Sequence, residues 1–285
     1  MNEASFRDKP MLKLTFFSLM SHAAIGALVP MAFMSVEVIG KLFFRFLSGL
    51  AIVLLLLAFW ARPFHEITSS DIHSLPSSSV VAVYLLLACS VLMLVIMNLL
   101  LPRWTKAFLW PAIATGLAAA ALLASTFPEA QTVARLPEWV SAVSFMTSAM
   151  MLGSVVGTMI TGHWYLVNFR LSIQPLRIAT GVFIAASVLR LALVALLLLG
   201  LWIGGESTQV AAVRHLFTFS GEGIFFMARL LFGLIAPLIF GYMIWETVKL
   251  RSTQSATGIL YAAVVFVILG EAFSKFIFYF MNLPV

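Results

Sequence analysis

The chain has 285 residues, of which 62% are hydrophobic and 10% are charged, and its formal net charge is +6. A soluble domain carries about a quarter charged residues, so this composition excludes a water-soluble globular protein. The basic residues stand singly between apolar runs, and we expect them to meet lipid headgroups and not nucleic acid.

Apolar runs recur along the whole chain, and each is long enough to cross a bilayer as a helix of about 20 residues. Barrel strands are disfavoured, because these runs are continuously apolar and exceed the roughly 10 alternating residues of such a strand. We therefore predict an all-α, polytopic transmembrane bundle of about eight helices, the first of them retained, in a single integral membrane domain over residues 1–285. The predicted spans are 12–34, 40–60, 79–102, 107–128, 139–165, 177–203, 217–247 and 257–282.

Tryptophan and cysteine add two constraints. All seven tryptophans fall near the end of a predicted span, where an aromatic belt is expected at the membrane interface. The single cysteine, Cys89, lies inside an apolar run, so this chain alone cannot build a disulfide framework or a thiolate-held metal site. An iron–sulfur cluster would belong to a partner.

The connections between spans differ in charge. Those after the odd-numbered spans contain Lys41, Arg103, Lys106, Arg170, Arg177, Lys249 and Arg251. Those after the even-numbered spans contain only Arg62, Arg135 and Arg214, together with five acidic residues. The positive-inside rule therefore predicts a bacterial-type inner membrane protein with both termini on the extracytoplasmic side, although the basic N-terminal tail argues against this orientation.

The fifth predicted span runs into an unusual stretch, residues 153–170. Gly153, Gly157 and Gly162 are small residues that let neighbouring helices approach closely, which predicts a central helix. His163 and Tyr165 follow at the end of the span, and a histidine changes charge near neutral pH. The stretch therefore predicts a site at the membrane boundary.

Four ionisable residues lie at lipid depth in the last three predicted spans: Arg190, Arg229, Glu271 and Lys275. An isolated charge is costly there, so we expect pairing across helices, either as a structural salt bridge or as a functional polar route. Glu271 and Lys275 are also spaced for a pair within one helix. Glu222 and Glu246 are further acids available to the two arginines.

His22 lies about halfway along the first predicted span. Its possible roles are a quinone contact, a proton relay, a haem ligand or a plain hydrogen bond to another helix. Haem b needs two axial ligands at matching depth, and neither His163 nor His215 lies at that depth, so we expect no bound haem or metal. Signatures of soluble catalysis, such as Gly-x-Ser-x-Gly, a Walker A loop or His-Glu-x-x-His, are absent from the sequence, so no catalytic residue is predicted.

Three late segments carry a resemblance to a known family: Ala228-Arg229-Leu-Leu-Phe-Gly233-Leu-Ile-Ala-Pro237, Arg251-Ser-Thr-Gln-Ser-Ala-Thr-Gly-Ile-Leu-Tyr261 and Gly270-Glu271-Ala-Phe. With the helix count and the polar residues of the first span, they resemble the membrane anchors of molybdenum and multihaem oxidoreductases, the NrfD and polysulfide-reductase or dimethyl-sulfoxide-reductase anchor group. Such anchors hold no prosthetic group. They bind a quinol between helices and pass its electrons to an iron–sulfur or haem subunit docked outside the bilayer.

The resemblance implies a subunit of a respiratory complex that exchanges menaquinone or ubiquinone and binds iron–sulfur or multihaem cytochrome c subunits as well as lipids. It implies that His22 contacts the quinone and that Arg229 and Glu271 line a polar pocket or proton route. The element His163-Trp164-Tyr165 does not match that group. All candidate residues for quinone binding or proton transfer are His22, His163, Tyr165, Arg190, Glu222, Arg229 and Glu271.

Three other classes stay open. In a secondary transporter or channel, Arg190, Arg229, Glu222 and Glu271 would line a translocation route. Transporters built from inverted repeats place broken helices at matching positions of two halves, and the prolines of this chain show no such plan. A haem-b cytochrome or a purely structural subunit is the remaining alternative.

Overall fold

The computed structural model describes residues 3–61, 78–100, 103–126, 136–168 and 170–285, and no β-strand occurs among them. The helices are α1 Glu3–Ala32, α2 Val36–Ile39, α3 Lys41–Ala61, α4 Ser78–Leu100, α5 Thr105–Leu123, α6 Glu138–Val167, α7 Gln174–Gly204, α8 Ser207–Leu216, α9 Gly221–Leu230, α10 Ala236–Lys249 and α11 Thr253–Met281. A 3-10 turn, Ala124–Thr126, extends α5, and a π-helical turn, Leu231–Ile235, joins α9 to α10.

Eight helical segments of the described chain are long and apolar enough to cross a membrane. This confirms the predicted all-α, polytopic bundle. The first helix, α1, begins at Glu3, well before the predicted start at residue 12. The other observed helix ends lie within about one helical turn, ~4 residues, of the predicted spans. Among them the largest shifts are at Gly221, where α9 begins after a turn closed by a 2.8 Å bond between the Thr218 and Ser220 hydroxyls, and at Thr253, where α11 begins earlier than predicted.

The centre of the bundle is the crossing of α1 and α6. These helices bury 78% and 72% of their most apolar segments, whereas the other six spans bury 28% to 44%. Gly26 of α1 lies against Ala149 and Gly153 of α6, and Gly157 lies against Ala27. A side chain at Gly26 or Gly153 would overlap backbone of the other helix. The prediction that the glycine-bearing helix is central is therefore confirmed.

Two groups of helices flank this central pair. On one side α3, α4 and α5 pack against α1 through an apolar cluster that includes Phe43, Leu87 and Ala112. On the other side α7, α10 and α11 pack against α6 through a second cluster that includes Phe183 and Leu260. Polar side chains of α1 and α6 therefore lie between two apolar walls.

The seventh membrane span is interrupted next to Arg229. Pro237, the second residue of α10, has no N–H to donate to the carbonyl of Gly233, and the chain passes this point as the π-helical turn. Gly233 lies against Gly270 of α11, where a side chain on either residue would overlap the other backbone. Such π-helical turns inside helices often occur at functional sites, and this one directly follows the helix that carries Arg229.

The exposed tryptophans mark helix ends, as an interfacial belt requires. Those that are about half exposed or more include Trp60, Trp104, Trp139 and Trp202. Trp164 differs, because its ring packs against Phe43 at a centroid distance of 5.7 Å. It therefore contributes to the contact between α6 and α3.

Candidate functional site

Four ionisable side chains from three segments of the chain meet in the interior. Arg190 of α7, Arg229 of α9, and Glu271 and Lys275 of α11 are each at most 1% exposed. Oε1 of Glu271 lies 2.9 Å from Nη2 of Arg229 and 3.6 Å from Nε of Arg190. The structure thus contains the expected cross-helix pair of Arg229 and Glu271, and Arg190 joins it. We call these four residues the charge cluster.

Two other pairings considered from the sequence are not formed. Among the described side chains Lys275 makes no ion pair with Glu271; its Nζ donates to Ser148 Oγ at 3.0 Å and lies 3.7 Å from the ring centroid of Phe145. Glu246 bonds to Lys249 at 2.7 Å at the exposed end of α10, away from both arginines. Both pairings fail because of the depth of the side chains in the bundle. Lys275 lies beside α6 and bonds to Ser148, whereas Glu246 lies at the exposed end of α10. The side chain of Glu222 lies outside the described part of the chain.

The two arginines of the charge cluster are held differently. Nη1 of Arg190 donates to the hydroxyl of Ser144 at 2.6 Å, and its Nη2 donates to the Ser274 hydroxyl and the Val285 carbonyl oxygen, each at 3.2 Å. Nε and Nη1 of Arg229 are buried and have no hydrogen-bond partner among the described residues. Arg190 is therefore fixed in a polar cage, whereas Arg229 depends on Glu271 alone.

The charge cluster contains more positive than negative charge. Among its described side chains, three are cationic and Glu271 alone is anionic. Two guanidinium groups beside one carboxyl group favour its ionised form, so Glu271 acts as a hydrogen-bond acceptor. Removing that carboxylate would leave the basic side chains of the cluster without an acidic side chain.

A single hydroxyl connects the charge cluster to the first helix. Ser148 of α6 donates to Oε2 of Glu271, accepts from Nζ of Lys275, and lies 3.1 Å from Nδ1 of His22. Ser148 and His22 are buried, at 0% and 1% exposure. Three titratable side chains, from α1 and α11, therefore converge on one oxygen atom of α6.

The other edge of the His22 ring has a different environment. The ring packs edge-on against Phe145, and its Nε2 is buried without a hydrogen-bond partner in the described part of the molecule. His22 lines a narrow crevice between α1, α4 and α5, which has no room for a water molecule as it stands. The opposite wall consists of Val83, Leu87, Gly116, Ala119, Ala120 and Leu123. A histidine with an unpartnered ring nitrogen thus lines a largely apolar space.

The two candidate residues at the end of α6 lie apart from this group. Nδ1 of His163 is 2.9 Å from the hydroxyl of Tyr261, and both side chains are exposed. Tyr165 is buried and donates to the carbonyl oxygen of Ser172, which ties α6 to the start of α7. At a helical rise of ~1.5 Å per residue, about 22 Å separate His163 from Ser148. The structure brings together His22, Arg190, Arg229 and Glu271, but not His163 or Tyr165.

Sequence reasoning missed the residues that link the cluster to the histidine. Ser144, Thr147 and Ser148 share one face of α6, and hydroxyls on one face of a membrane helix often bond across helices, so this spacing was the available signal. The spacing of Lys275 indicates a pair with Glu271 and does not indicate its contact with Ser148. No three His, Cys, Asp or Glu side chains converge as a possible metal site within the described ranges.

Comparison of the chain with models of known protein families, and with curated proteins, finds no match. The family resemblance of the late segments therefore stands on those residues alone.

Proposed function

We propose that this chain is the integral membrane subunit of a respiratory electron-transfer complex, and that it binds a quinone or quinol beside His22. One observation carries the proposal: this buried histidine contacts a charged network through one ring nitrogen, has no described partner for the other, and lines an apolar crevice. A histidine with a purely structural role would be expected to have both ring nitrogens satisfied. The unpartnered Nε2 is therefore reserved for a ligand.

A quinone site needs an apolar slot for the ring, a polar group at the ring oxygen and a titratable path for protons. The walls of α4 and α5 supply the slot, and His22 supplies the polar group. The path continues from His22 through Ser148 to Glu271. These three elements are contiguous, which favours a site that couples ligand binding to proton movement.

The crevice opens only when a ligand enters it. Since it does not admit a water molecule as it stands, a planar ring has to part α5 from α1 and turn the side chains of Leu87 and Leu123. Gly116, Ala119 and Ala120 present little side-chain volume on that wall, so the rearrangement involves few bulky groups. A closed, dry slot also prevents water from satisfying His22 in place of the ligand.

The redox partner in this proposal is a peripheral subunit that holds iron–sulfur clusters or c-type haems, because the resemblance implies an anchor without its own prosthetic group. Ser148 lies about 15 Å from the start of α6, and Lys275 about 9 Å from the end of α11. The site is thus nearer the membrane face on which α6 begins. The basic connections lie on the other face, so we place the site and both termini toward the extracytoplasmic side of a bacterial-type inner membrane.

A second candidate function is favoured by one specific feature, the incomplete bonding of Arg229 beside the π-helical turn. In a secondary transporter, an anionic substrate would complete the bonds of Arg229 and offset the excess positive charge. Arg190 and Glu271 would then line its route. Anions would stabilise such a protein, whereas quinones would not.

Equilibrium binding of a short-chain menaquinol and ubiquinol to the purified full chain, in detergent and under anaerobic conditions, tests the proposal. We expect saturable binding that weakens about 10-fold or more in His22→Gln, because one hydrogen bond in a dry site is lost. His215→Gln, at an exposed position of α8, is the matched control and should bind as the wild type does. Absence of quinol binding, with thermal stabilisation by small anions instead, would contradict the proposal and support the transporter.

A further inference from the structure

We infer that Ser148 holds His22 in the tautomer protonated on Nδ1, so that the bare Nε2 makes the crevice selective for ligands that donate a hydrogen bond. The tautomer follows from the contacts alone. The identity of the ligand rests on the proposed function: within a quinone couple, the preferred occupant is the quinol, whose hydroxyl donates, and not the quinone, whose carbonyl only accepts.

The first step is the position of the hydroxyl proton of Ser148. A serine hydroxyl has one proton to donate and two lone pairs to accept with. Glu271, held between Arg229 and Arg190, is ionised and has no proton to give. The proton between Ser148 and Glu271 is therefore that of the serine, and the donor capacity of Ser148 is used.

The second step concerns the lone pairs of Ser148. The ammonium group of Lys275 can only donate, so its 3.0 Å contact occupies one lone pair. The remaining lone pair faces Nδ1 of His22 at 3.1 Å. Two acceptors would repel each other at that distance, so the proton of this bond belongs to His22.

The third step is the charge state of the imidazole. A neutral imidazole carries one proton, and with that proton on Nδ1 the second nitrogen is a bare acceptor. A doubly protonated ring would add a further positive charge beside Lys275, Arg190 and Arg229, where Glu271 is the one acidic side chain among the described residues. His22 is therefore neutral, and Nε2 presents a lone pair to the crevice.

The other polar residue of the crevice also favours ligands that donate a hydrogen bond. Ser21 is the other polar side chain that lines it, and its hydroxyl already donates to the carbonyl oxygen of Phe17 at 2.8 Å. Ser21 thus also has only acceptor capacity left. A hydroxyl entering the crevice meets acceptors, whereas a carbonyl oxygen meets lone pairs. Such a site takes the reduced form from a mixed pool, which suits quinol oxidation.

Histidine tautomers can be read directly by nuclear magnetic resonance of the full chain, labelled with ¹³C and ¹⁵N on histidine and reconstituted in bilayers. Subtracting the spectrum of His22→Gln isolates the signals of His22. We expect the Nδ1-protonated form in the wild type and in Thr161→Val, which removes a buried α6 hydroxyl bonded within its own helix. Ser148→Ala should lose this preference. A wild-type His22 protonated on Nε2, or on both nitrogens, would overturn the inference.

Binding selectivity is the second readout. A short-chain menaquinol should bind about 10-fold more tightly than the matching menaquinone under anaerobic conditions, because one net hydrogen bond distinguishes them. The ratio should fall toward one in Ser148→Ala and persist in Ser148→Thr, which keeps the hydroxyl. An unchanged ratio in Ser148→Ala would refute the role of Ser148. If neither ligand binds the wild type, the proposed function fails. The tautomer measurement on the wild type still decides the inference, and it does so even if Ser148→Ala does not fold.

Discussion

The two ends of α6 each present a histidine contact, yet the structure makes them very different. Near the first third of the helix, Ser148 joins buried His22 to charged groups, and Nε2 of His22 has no described partner. Near its last turns, His163 bonds to Tyr261 on an exposed surface. A single hydrogen bond through Nδ1 is common to both. His22 differs from His163 in three ways: its ring is buried, it lies close to charged side chains, and it lines an apolar crevice.

The largest effect should follow from removing the carboxylate at the buried end. Glu271→Leu leaves the basic side chains of the cluster without an acidic side chain, and breaking such a buried pair costs about 3–5 kcal/mol. We expect little folded protein, measured as the monodisperse yield and thermal stability in detergent. Glu246→Gln, in an exposed pair with Lys249, is the matched control and should cost at most about 1 kcal/mol. Equal losses for both variants would show that burial does not distinguish the two sites.

A double variant tests whether Arg229 and Glu271 stabilise each other. Arg229→Leu alone should be harmful, because it removes the nearest partner of Glu271. Combined with Glu271→Leu, it should recover part of the lost stability, since the two charges disappear together. Recovery is incomplete because Arg190 and Lys275 remain. Additive losses in the thermal unfolding of the four proteins would show that Arg229 and Glu271 are not coupled.

Packing should also differ between the two ends of α6. A methyl group at Gly153 would overlap the backbone of α1 around Gly26, whereas one at Gly162 would meet the side chains of Thr257 and Leu260, which can move. We therefore expect Gly153→Ala to destabilise by about 1–3 kcal/mol or more, and Gly162→Ala by less. Thermal unfolding in one detergent compares them directly. The reverse order would contradict the central position of the crossing of α1 and α6.

The histidines themselves should give a smaller and separable effect. His22→Ala removes a buried hydrogen bond and should cost about 1–3 kcal/mol in addition to weakening quinone binding. His163→Ala should leave extraction and assembly nearly intact, because its side chain is exposed. If it nevertheless alters quinol oxidation, His163 belongs to a second boundary site. A loss of folded protein in His163→Ala would instead indicate a structural role.

The smallest effect is expected at Tyr261. Tyr261→Phe removes the 2.9 Å contact to His163 and keeps the ring, and an exposed hydrogen bond contributes little to stability. Quinone affinity and thermal unfolding should both stay within error of the wild type. A measurable drop in affinity would move the candidate site toward this end of α6.

The sequence predicted the helices and their centre well, for physical reasons. Continuous apolar runs specify membrane spans, and the glycines at 153 and 157 could serve only a close helix contact. The pair of Arg229 and Glu271 was foreseeable because an uncompensated charge inside a bilayer is costly. Each of these inferences depends on composition or local spacing, which a single sequence displays.

The contacts that connect His22 to the charge cluster could not be predicted in the same way. A serine in an apolar helix can bond to a carbonyl of its own turn, so the sequence does not show that Ser148 faces two other helices. Lys275 was spaced for Glu271, yet the relative depth of α6 and α11 brought Ser148 and Phe145 to it instead. Pro237 indicated an interruption, but not that a π-helical turn would place Gly233 against α11. Depth and rotation of neighbouring helices decided all three.

The central claim is that a quinone binds between α1, α4 and α5 beside His22. A photoreactive short-chain quinol, kept reduced, activated on the full chain in bilayers and mapped by mass spectrometry, tests it most directly. We predict labelling of the crevice wall around Val83–Leu87 and Gly116–Leu123, suppressed by unlabelled quinol and greatly reduced in His22→Gln. Labelling concentrated around His163 and Tyr261 would contradict the account. So would crevice labelling that is equally strong in the wild type and in His22→Gln.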